Sequence, residues 1–280
     1  MNKCAPGIDY KHNSCFTLDN LIEISNEFNS TYPNKKFKII NDKKYLLKNL
    51  IKVMNNTYNC SDEICWLETK LLKNINNKDI LSAHKPQGPT NFEWLSTTNI
   101  NDVLYQYEKT NLKFKYLGTV PIDFEEIGYL ESIGITDLNS FSKKYNKFGV
   151  VINLDEHNKS GSHWVSLYGN FNTNEIYFFD SFGKKPKKRI RIFIKKIFNQ
   201  MYKNMYNKDI DYNNLSNINF KNFKIKYNKN QHQFKNSECG VYSINFIIRL
   251  LNGEKFNNIT NNILKDNFMN NCRKTYFRGD

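Results

Sequence analysis

Three short segments of the chain carry side chains suited to nucleophilic attack by a thiol. In chain order they are Gly161-Ser162-His163-Trp164, Phe179-Asp180-Ser181 and Gln231-His232-Gln233-Phe234-Lys235-Asn236-Ser237-Glu238-Cys239-Gly240. The attacking species in such chemistry is the thiolate, so the cysteine needs surroundings that favour negative charge. Cys239 stands where a loop enters a long apolar segment with helical spacing. The unpaired N–H groups at the start of a helix favour negative charge at that position.

A thiol nucleophile also needs a base, which later acts as an acid toward the leaving amine, and an acceptor that fixes the tautomer of that base. His163 and Asp180 begin and end two predicted strands, joined by the turn-rich segment 169–174, a pattern typical of a hairpin. On paired strands these two side chains can meet at one sheet edge. Val165 and Leu167 share the strand face of His163, so we expect its ring to face packed protein.

The tetrahedral intermediate of acyl transfer carries an oxyanion, which needs hydrogen-bond donors. The backbone N–H of Cys239 is one candidate, and the side-chain amide of Gln233 in the preceding loop is the other. We expect Gly240 to let the backbone turn sharply behind the nucleophile and to keep the sulfur reachable.

The remaining cysteines are interpreted as buried structural residues: Cys4, Cys15, Cys60, Cys65 and Cys272. No apolar signal segment opens the sequence, so the chain is expected to be intracellular, where thiols stay reduced. The Cys60/Cys65 spacing lacks a second tight Cys/His pair, so no metal site is predicted, and no cofactor is expected. No stretch approaches the roughly 20 apolar residues that a membrane span needs.

The elements that position the candidate site follow from the apolar spacing. Residues 1–85 are predicted to form a helical arm with three helices, centred near Leu21, Leu50 and Leu71, of which the first is capped by Thr17 or Asp19. The segment Lys85-Pro86-Gln87-Gly88-Pro89 is a strong breaker, which separates this arm from a catalytic domain at 86–280.

Within 86–280 the pattern mixes helices and strands. A helix capped by Thr98 or Asn99 is predicted through Ile100 and Leu104, since apolar residues recur there at helical spacing. The further predicted elements are strands at 149–154, 163–168, 176–180 and 220–227, a basic helix at about 186–204, and a helix from Cys239 to Asn252-Gly253. The strand at 176–179 is apolar on both faces, so the sheet is expected to be covered on both sides. The order predicts an α+β fold with a central mixed β-sheet flanked by helices.

The chain has a formal net charge of +14 and a pI of about 9.3, which favours anionic partners without choosing among them. The densest basic run is Lys184-Lys185-Pro186-Lys187-Lys188-Arg189-Ile190-Arg191. We interpret it as the solvated face of an amphipathic helix. Nucleic acid stays open as an accessory partner.

At the three chemical segments the sequence resembles the ubiquitin-like-protein-specific cysteine proteases, the sentrin/SUMO protease superfamily. Shared features are a His-Trp pair, an Asp-Ser pair seventeen residues later, and a Gln six residues before Cys-Gly. The resemblance covers roughly 90–260. It implies a papain-like-superfamily core and a triad of Cys239, His163 and Asp180, with Gln233 as oxyanion donor.

The resemblance also implies that Trp94, in the Trp94-Leu95 motif, and Trp164 form a narrow tunnel that admits only a Gly-Gly backbone before the scissile bond. Two departures stand out. The family continues its Trp-Leu motif with Asn-Asp, whereas this chain has Ser96-Thr97-Thr98, so the wall at Trp94 is expected to differ in shape. Glu238 replaces the common Asp before Cys-Gly.

Shorter matches point to a viral branch of this superfamily. They are Cys4-Ala5-Pro6-Gly7, Ser14-Cys15-Phe16-Thr17-Leu18, Cys65-Trp66 and Pro121-Ile122-Asp123-Phe124. These resemble the thiol proteases of large cytoplasmic DNA viruses, of asfarvirus and mimivirus type. The resemblance implies a helical arm, processing of virion core polyproteins after Gly-Gly, and a place in the virion core and the host cell cytoplasm.

Three other functions compete with this hypothesis. A deconjugase that removes SUMO or ubiquitin from host proteins would use the same residues on another substrate. An acetyltransferase of the bacterial-effector type also has a His, acid, Cys order, but Gln233 and the lack of a secretion leader disfavour it. A nucleic-acid-binding core protein with a protease scaffold is disfavoured because all three triad residues are present.

Overall fold

Proline and glycine at 86–89 interrupt regular structure, and the chain divides there. The computed structural model describes residues 3–211 and 220–279, and it separates into two units, 3–87 and Gly88–Gly279. Each unit has its own apolar core, one cluster in the first and two in the second. Among the described residues, no helix combines the length and the apolar character needed to cross a membrane.

The first unit is helical, as predicted. Its helices are α1 (Leu18–Thr31), α2 (Lys43–Tyr58), α3 (Glu63–Glu68), α4 (Lys70–Asn74) and α5 (Lys78–Leu81), with a short 3-10 helix at Pro33–Lys35. Thr17 caps α1, since its side chain accepts from the Asn20 N–H. The prediction of one helix through Trp66 and Leu72 is wrong. Thr69 ends α3 by donating its hydroxyl to the Trp66 carbonyl, and it caps α4 by accepting from the Leu72 N–H.

The expectation of free thiols in the first unit is also wrong. Disulfides join Cys4 to Cys15 and Cys60 to Cys65, with Cα–Cα distances of 5.2 and 5.4 Å. Burial does not distinguish the two states, because a half-cystine and a free thiol are both small apolar groups. Within the described residues, the free cysteines are Cys239 and Cys272.

The second unit is built on a five-stranded mixed sheet in the order β1-β2-β3-β4-β5. The strands are β1 (Phe114–Pro121), β2 (Lys147–Asn153), β3 (Trp164–Asn170), β4 (Glu175–Phe179) and β5 (Lys224–Tyr227). The two outer pairs, β1 with β2 and β4 with β5, are parallel, whereas β2, β3 and β4 are antiparallel. The predicted hairpin at β3 and β4 and the mixed sheet are therefore confirmed. The last strand is shorter than predicted, because a 3-10 helix occupies Phe220–Asn222.

Helices cover both faces of this sheet. They are α6 (Thr97–Thr110), α7 (Tyr129–Ser132), α8 (Leu138–Lys144), α9 (Lys188–Tyr206), α10 (Cys239–Leu251), α11 (Phe256–Asn261) and α12 (Asp266–Tyr276). Side chains of α6, α10, α11 and α12 share one apolar cluster with the sheet, and those of α7, α8 and α9 share the other. The predicted cap of α6, Thr98 or Asn99, is wrong by two or three residues. Ser96 caps it in a capping box with Asn99: the Ser96 side chain accepts from the Asn99 N–H, and the Asn99 side chain accepts from the Ser96 N–H.

The basic helix α9 is amphipathic, as predicted, and part of its charge is paired. Arg189 contacts Glu126 and Glu156, and Lys196 contacts Glu125, with nitrogen–oxygen distances of 2.6 to 2.7 Å. Its apolar stripe, which includes Phe193, packs into the core. These ion pairs reduce the charge that α9 presents to an anionic partner, so binding of nucleic acid stays a prediction without support from this surface.

Candidate active site

Cys239 is the first residue of α10, and its side chain is buried among the core residues of the second unit. Glu238 occupies the N-cap position before it. The N–H groups of the first turn have no partner within the helix and point toward its start. The nucleophile candidate is therefore attached to the end of a helix where backbone donors and the helix dipole favour negative charge.

Gly240 has a different role from the one predicted. It is not among the glycines with left-handed φ, so it makes no sharp turn. A Cβ at this position would lie 3.0 Å from the Cβ of Leu95 and 3.3 Å from the Cδ1 of Ile100. Glycine is needed here because α10 packs closely against the segment that begins α6.

His163 and Asp180 flank the β3–β4 hairpin, His163 directly before β3 and Asp180 directly after β4. The register pairs Ser166 with Phe179, so the two side chains are diagonal neighbours across the hairpin. His163 Nε2 lies 2.8 Å from Asp180 Oδ1, and both side chains are almost completely buried. The backbone N–H of Phe182 donates to the same Oδ1 at 2.9 Å, which fixes the carboxylate.

The imidazole of His163 is held between two partners. Burial would lower the pKa of His163, but the hydrogen bonds to Asp180 and Cys239, together with their charges, outweigh it and raise the pKa to about 9. Because Nε2 contacts Asp180, Nδ1 is the ring nitrogen that remains for Cys239. The structure therefore brings together the three residues that the sequence singled out, with the imidazole in the centre.

The amide of Gln233 is buried, and both of its ends are hydrogen-bonded. The Ser181 hydroxyl donates to Oε1 at 2.6 Å, and Nε2 donates to the Lys235 carbonyl at 2.6 Å. The Ser181 carbonyl also accepts from the Gln233 N–H at 3.0 Å. No role for Ser181 was predicted from the sequence, although its place beside Asp180 in the Asp-Ser pair was a signal that could have indicated one.

The two tryptophans line one groove but differ in exposure. Trp164 is 7% exposed, and its indole N–H donates to the Leu95 carbonyl at 3.0 Å, whereas Trp94 is 49% exposed. The groove has a volume of about 580 Å3, and its lining also includes Thr119 and Asp155. The triad candidates are not among its lining residues, but Trp164, which directly follows His163, is.

A second cluster of chemistry-bearing side chains lies in the first unit. Ligand atoms of Cys15, Glu63 and His84 lie within 4.8 Å of one another. The sulfur of Cys15 is bonded to Cys4, and His84 Nε2 lies 2.9 Å from Glu63 Oε2. As the structure stands, the cluster consists of a disulfide beside a hydrogen-bonded His–Glu pair, which does not supply the thiolate that a metal site of this type would use.

Comparisons with known proteins agree with the geometry. The Ulp1 protease family, C-terminal catalytic domain, matches residues 148–279. A thiol protease of Acanthamoeba polyphaga mimivirus is 35% identical over 298 residues, which cover 99% of this chain and 94% of that protein. A SUMO-1 cysteine protease of African swine fever virus is 23% identical over 245 residues, covering 79% of this chain and 84% of that protein.

The fold also has a solved counterpart. A crystal structure of an African swine fever virus protease matches with a TM-score of 0.67 and 20% sequence identity, over 100% of this chain and 96% of that one. The resemblance inferred from the chemical segments, the α+β fold and the cysteine protease activity are thereby confirmed. The chain belongs to the Ulp1 family of cysteine proteases.

Proposed function

We propose that the protein is an endopeptidase with a Cys239–His163–Asp180 triad, which cleaves viral core polyproteins after Gly-Gly during virion maturation. The observation that carries this proposal is the buried imidazole of His163, hydrogen-bonded to Asp180 and to Cys239. The proposed places of action are the virion core and the host cell cytoplasm.

The proposed reaction follows from this arrangement. The Cys239 thiolate attacks the carbonyl carbon of the scissile bond, and the oxyanion accepts hydrogen bonds from the Cys239 N–H and the Gln233 amide. His163 then gives its proton to the departing amine, which leaves a thioester on Cys239. Water, deprotonated by His163, then attacks the thioester, which releases the carboxyl-terminal product and returns the Cys239 thiolate beside a protonated His163. Asp180 orients the imidazole and stabilises its charged form throughout.

The groove supports a substrate with glycine before the scissile bond. The Trp164 indole N–H donates to the carbonyl of Leu95, the residue after Trp94. This hydrogen bond fixes Trp164 relative to the backbone that carries Trp94. Between two such aromatic walls, a backbone without side chains passes most easily. The 35% identical relative is a viral thiol protease, which supports a viral precursor as the substrate.

The second candidate function is removal of SUMO or a ubiquitin-like protein from host substrates. The observation in its favour is the similarity to a SUMO-1 cysteine protease of African swine fever virus. Such modifiers also end in Gly-Gly, so the chemistry of the triad does not separate the two functions.

A direct comparison of substrates tests the proposal. The protein is incubated with a core polyprotein fragment containing Gly-Gly-Xaa, and in parallel with SUMO-aldehyde and ubiquitin-aldehyde. We expect cleavage of the fragment after the second glycine, seen by mass spectrometry, and slower reaction with both aldehydes. A fragment with Gly-Ala in place of Gly-Gly is the matched control and should resist cleavage. Rapid capture by SUMO-aldehyde with an intact fragment would favour the deconjugase.

The oxyanion role of Gln233 is tested by Gln233→Ala. Removing one oxyanion donor is expected to lower kcat on the order of a hundredfold. Gln233→Glu keeps the length of the side chain but replaces the donor with a charged oxygen, so it should be at least as slow. The check is kcat for both variants in the peptide assay. An unchanged rate in Gln233→Ala would exclude the oxyanion role.

A further inference from the structure

Helix α12 carries a guanidinium that is completely buried. Nε and Nη2 of Arg273 donate to the two carboxylate oxygens of Glu238 at 3.2 and 2.8 Å, and neither side chain is exposed. Two parallel hydrogen bonds of this kind fix the orientation of a carboxylate as well as its position. Glu238 is the residue directly before Cys239, so Arg273 holds the start of α10.

The same guanidinium reaches a second segment of the site. Nη2 donates to the Glu93 carbonyl at 2.5 Å, and Nη1 donates to the Pro89 carbonyl at 3.3 Å. Glu93 directly precedes Trp94. One planar group therefore contacts both the residue before the nucleophile and the residue before the exposed wall of the groove.

The other end of α12 holds the loop that leads from Gln233 to Glu238. Asp266, the first residue of α12, accepts the backbone N–H groups of Phe234 and Lys235 on Oδ2, at 2.9 and 3.0 Å. The carbonyl of Lys235 in turn accepts from the Gln233 amide. The two ends of one helix thus fix the loop 233–238 that carries the oxyanion candidate into α10.

We propose that Arg273 is a positioning residue that sets the distance between the Cys239 nucleophile and the Trp94 wall of the groove. The proposal rests on the proposed roles of Cys239 and Trp94. A substrate strand held against Trp94 must present its carbonyl carbon to the Cys239 sulfur, and both groups are attached to Arg273 through one intervening residue. A displacement of about 1 Å between such groups costs on the order of a hundredfold in rate.

The chemistry of the Arg273–Glu238 ion pair indicates a positioning role rather than packing alone. A buried ion pair is costly to desolvate, and apolar side chains of similar volume often replace it without loss of stability. A lysine at 273 would keep the charge but present its donors from one nitrogen, which does not span a carboxylate and two separate carbonyls.

The test uses Arg273→Lys and the double variant Arg273→Met/Glu238→Leu, which removes the ion pair without leaving a lone buried charge. Lys274→Ala, an exposed neighbour on α12, is the matched control. Three quantities are measured: the melting temperature, kcat/KM on the substrate that the wild type cleaves, and the rate of Cys239 alkylation by iodoacetamide. Alkylation reports the reactivity of the thiol and does not require the groove.

We expect both Arg273 variants to lose kcat/KM on the order of a hundredfold while alkylation of Cys239 continues at nearly the wild-type rate. The double variant should also melt close to the wild-type temperature. Wild-type turnover in either folded variant would overturn the proposal. So would turnover and alkylation falling together in proportion to the folded fraction, because a purely structural role predicts that result.

Failure of the proposed function gives a different result. If Cys239 is not the nucleophile, mass spectrometry after alkylation will show no correlation between modification of Cys239 and loss of wild-type turnover. If Gly-Gly precursors are not the substrate, kcat/KM of the Arg273 variants is compared with that of the wild type on a conjugate of the modifier, SUMO or ubiquitin, whose aldehyde reacts with the protein. The effect of Arg273 on turnover can therefore be judged separately from the identity of the substrate.

Discussion

Replacing Cys239 with alanine is expected to abolish cleavage and to leave the second unit folded. The sulfur forms the thioester in the proposed reaction, and no other group at the start of α10 can take its place. We expect a loss on the order of 10⁴-fold or more, as for nucleophiles of other proteases. Alanine keeps the Cβ and fits the same buried position, so the melting temperature should change little. The measurements are peptide turnover and thermal unfolding monitored by circular dichroism.

The chain offers a matched control for this substitution. Cys272 is the other free cysteine among the described residues, and burial raises the pKa of its thiol, which keeps it protonated and unreactive. Cys272→Ala should therefore cleave at the wild-type rate. Turnover that survives in Cys239→Ala and disappears in Cys272→Ala would mean that the wrong thiol has been identified.

The second large effect is expected from His163→Ala. This variant removes the base and acid of the reaction, which contribute typically 10²- to 10⁴-fold, and we expect a loss near the upper end of that range. The imidazole also supplies the positive charge beside the thiolate, so its removal affects the nucleophile as well. The check is kcat/KM together with the alkylation rate of Cys239, both of which should fall. Full turnover in a folded His163→Ala protein would contradict the triad.

The pH dependence supplies a second measurement on the same residue. The pKa of His163 is raised from its ordinary value of 6.5 to about 9, despite burial, by its hydrogen bonds to Asp180 and Cys239. A raised pKa means that the imidazolium persists through neutral pH and is lost as the pH rises through about 9. The basic limb of kcat/KM should therefore lie near pH 9. Asp180→Asn keeps the base but removes the negative charge, so some activity should remain and this limb should move to lower pH.

The elements that carry the candidate triad were predictable because local patterns in the sequence mark them. The alternating apolar residues around the turn-rich 169–174 segment predict a hairpin, and a hairpin alone brings His163 close to Asp180. The start of α10 was equally clear, since the apolar stripe from Val241 to Leu251 is continuous. The hairpin and the start of α10 are determined by residues that are close in sequence, so the predicted elements agree with the structure.

The elements that the sequence did not predict depend on distant partners. Strand β1 pairs in parallel with β2, and its register shifts between Tyr116 and Thr119, so no regular alternation marks it. Helix α12 is rich in polar residues, and Arg273 would be assigned to the surface from its type alone. Its burial follows from Glu238, which lies 35 positions away. The two disulfides were missed for a different reason. Their partners lie only 11 and 5 positions apart, but the chain was expected to be intracellular, where thiols stay reduced.

The hydrogen bonds of Gln233 have a consequence for the sign of the electrostatic field in the site. An amide keeps its shape when its oxygen and nitrogen exchange places by a half-turn, but the exchange would present a lone pair where a proton is needed. The Ser181 hydroxyl does not forbid that half-turn, because a hydroxyl can accept as readily as it donates. The Lys235 carbonyl does forbid it, because a carbonyl can only accept. The orientation of the amide that Gln233 would offer to the substrate in the proposed reaction is thus set by the main-chain carbonyl of Lys235, which a side-chain substitution at that position would not remove.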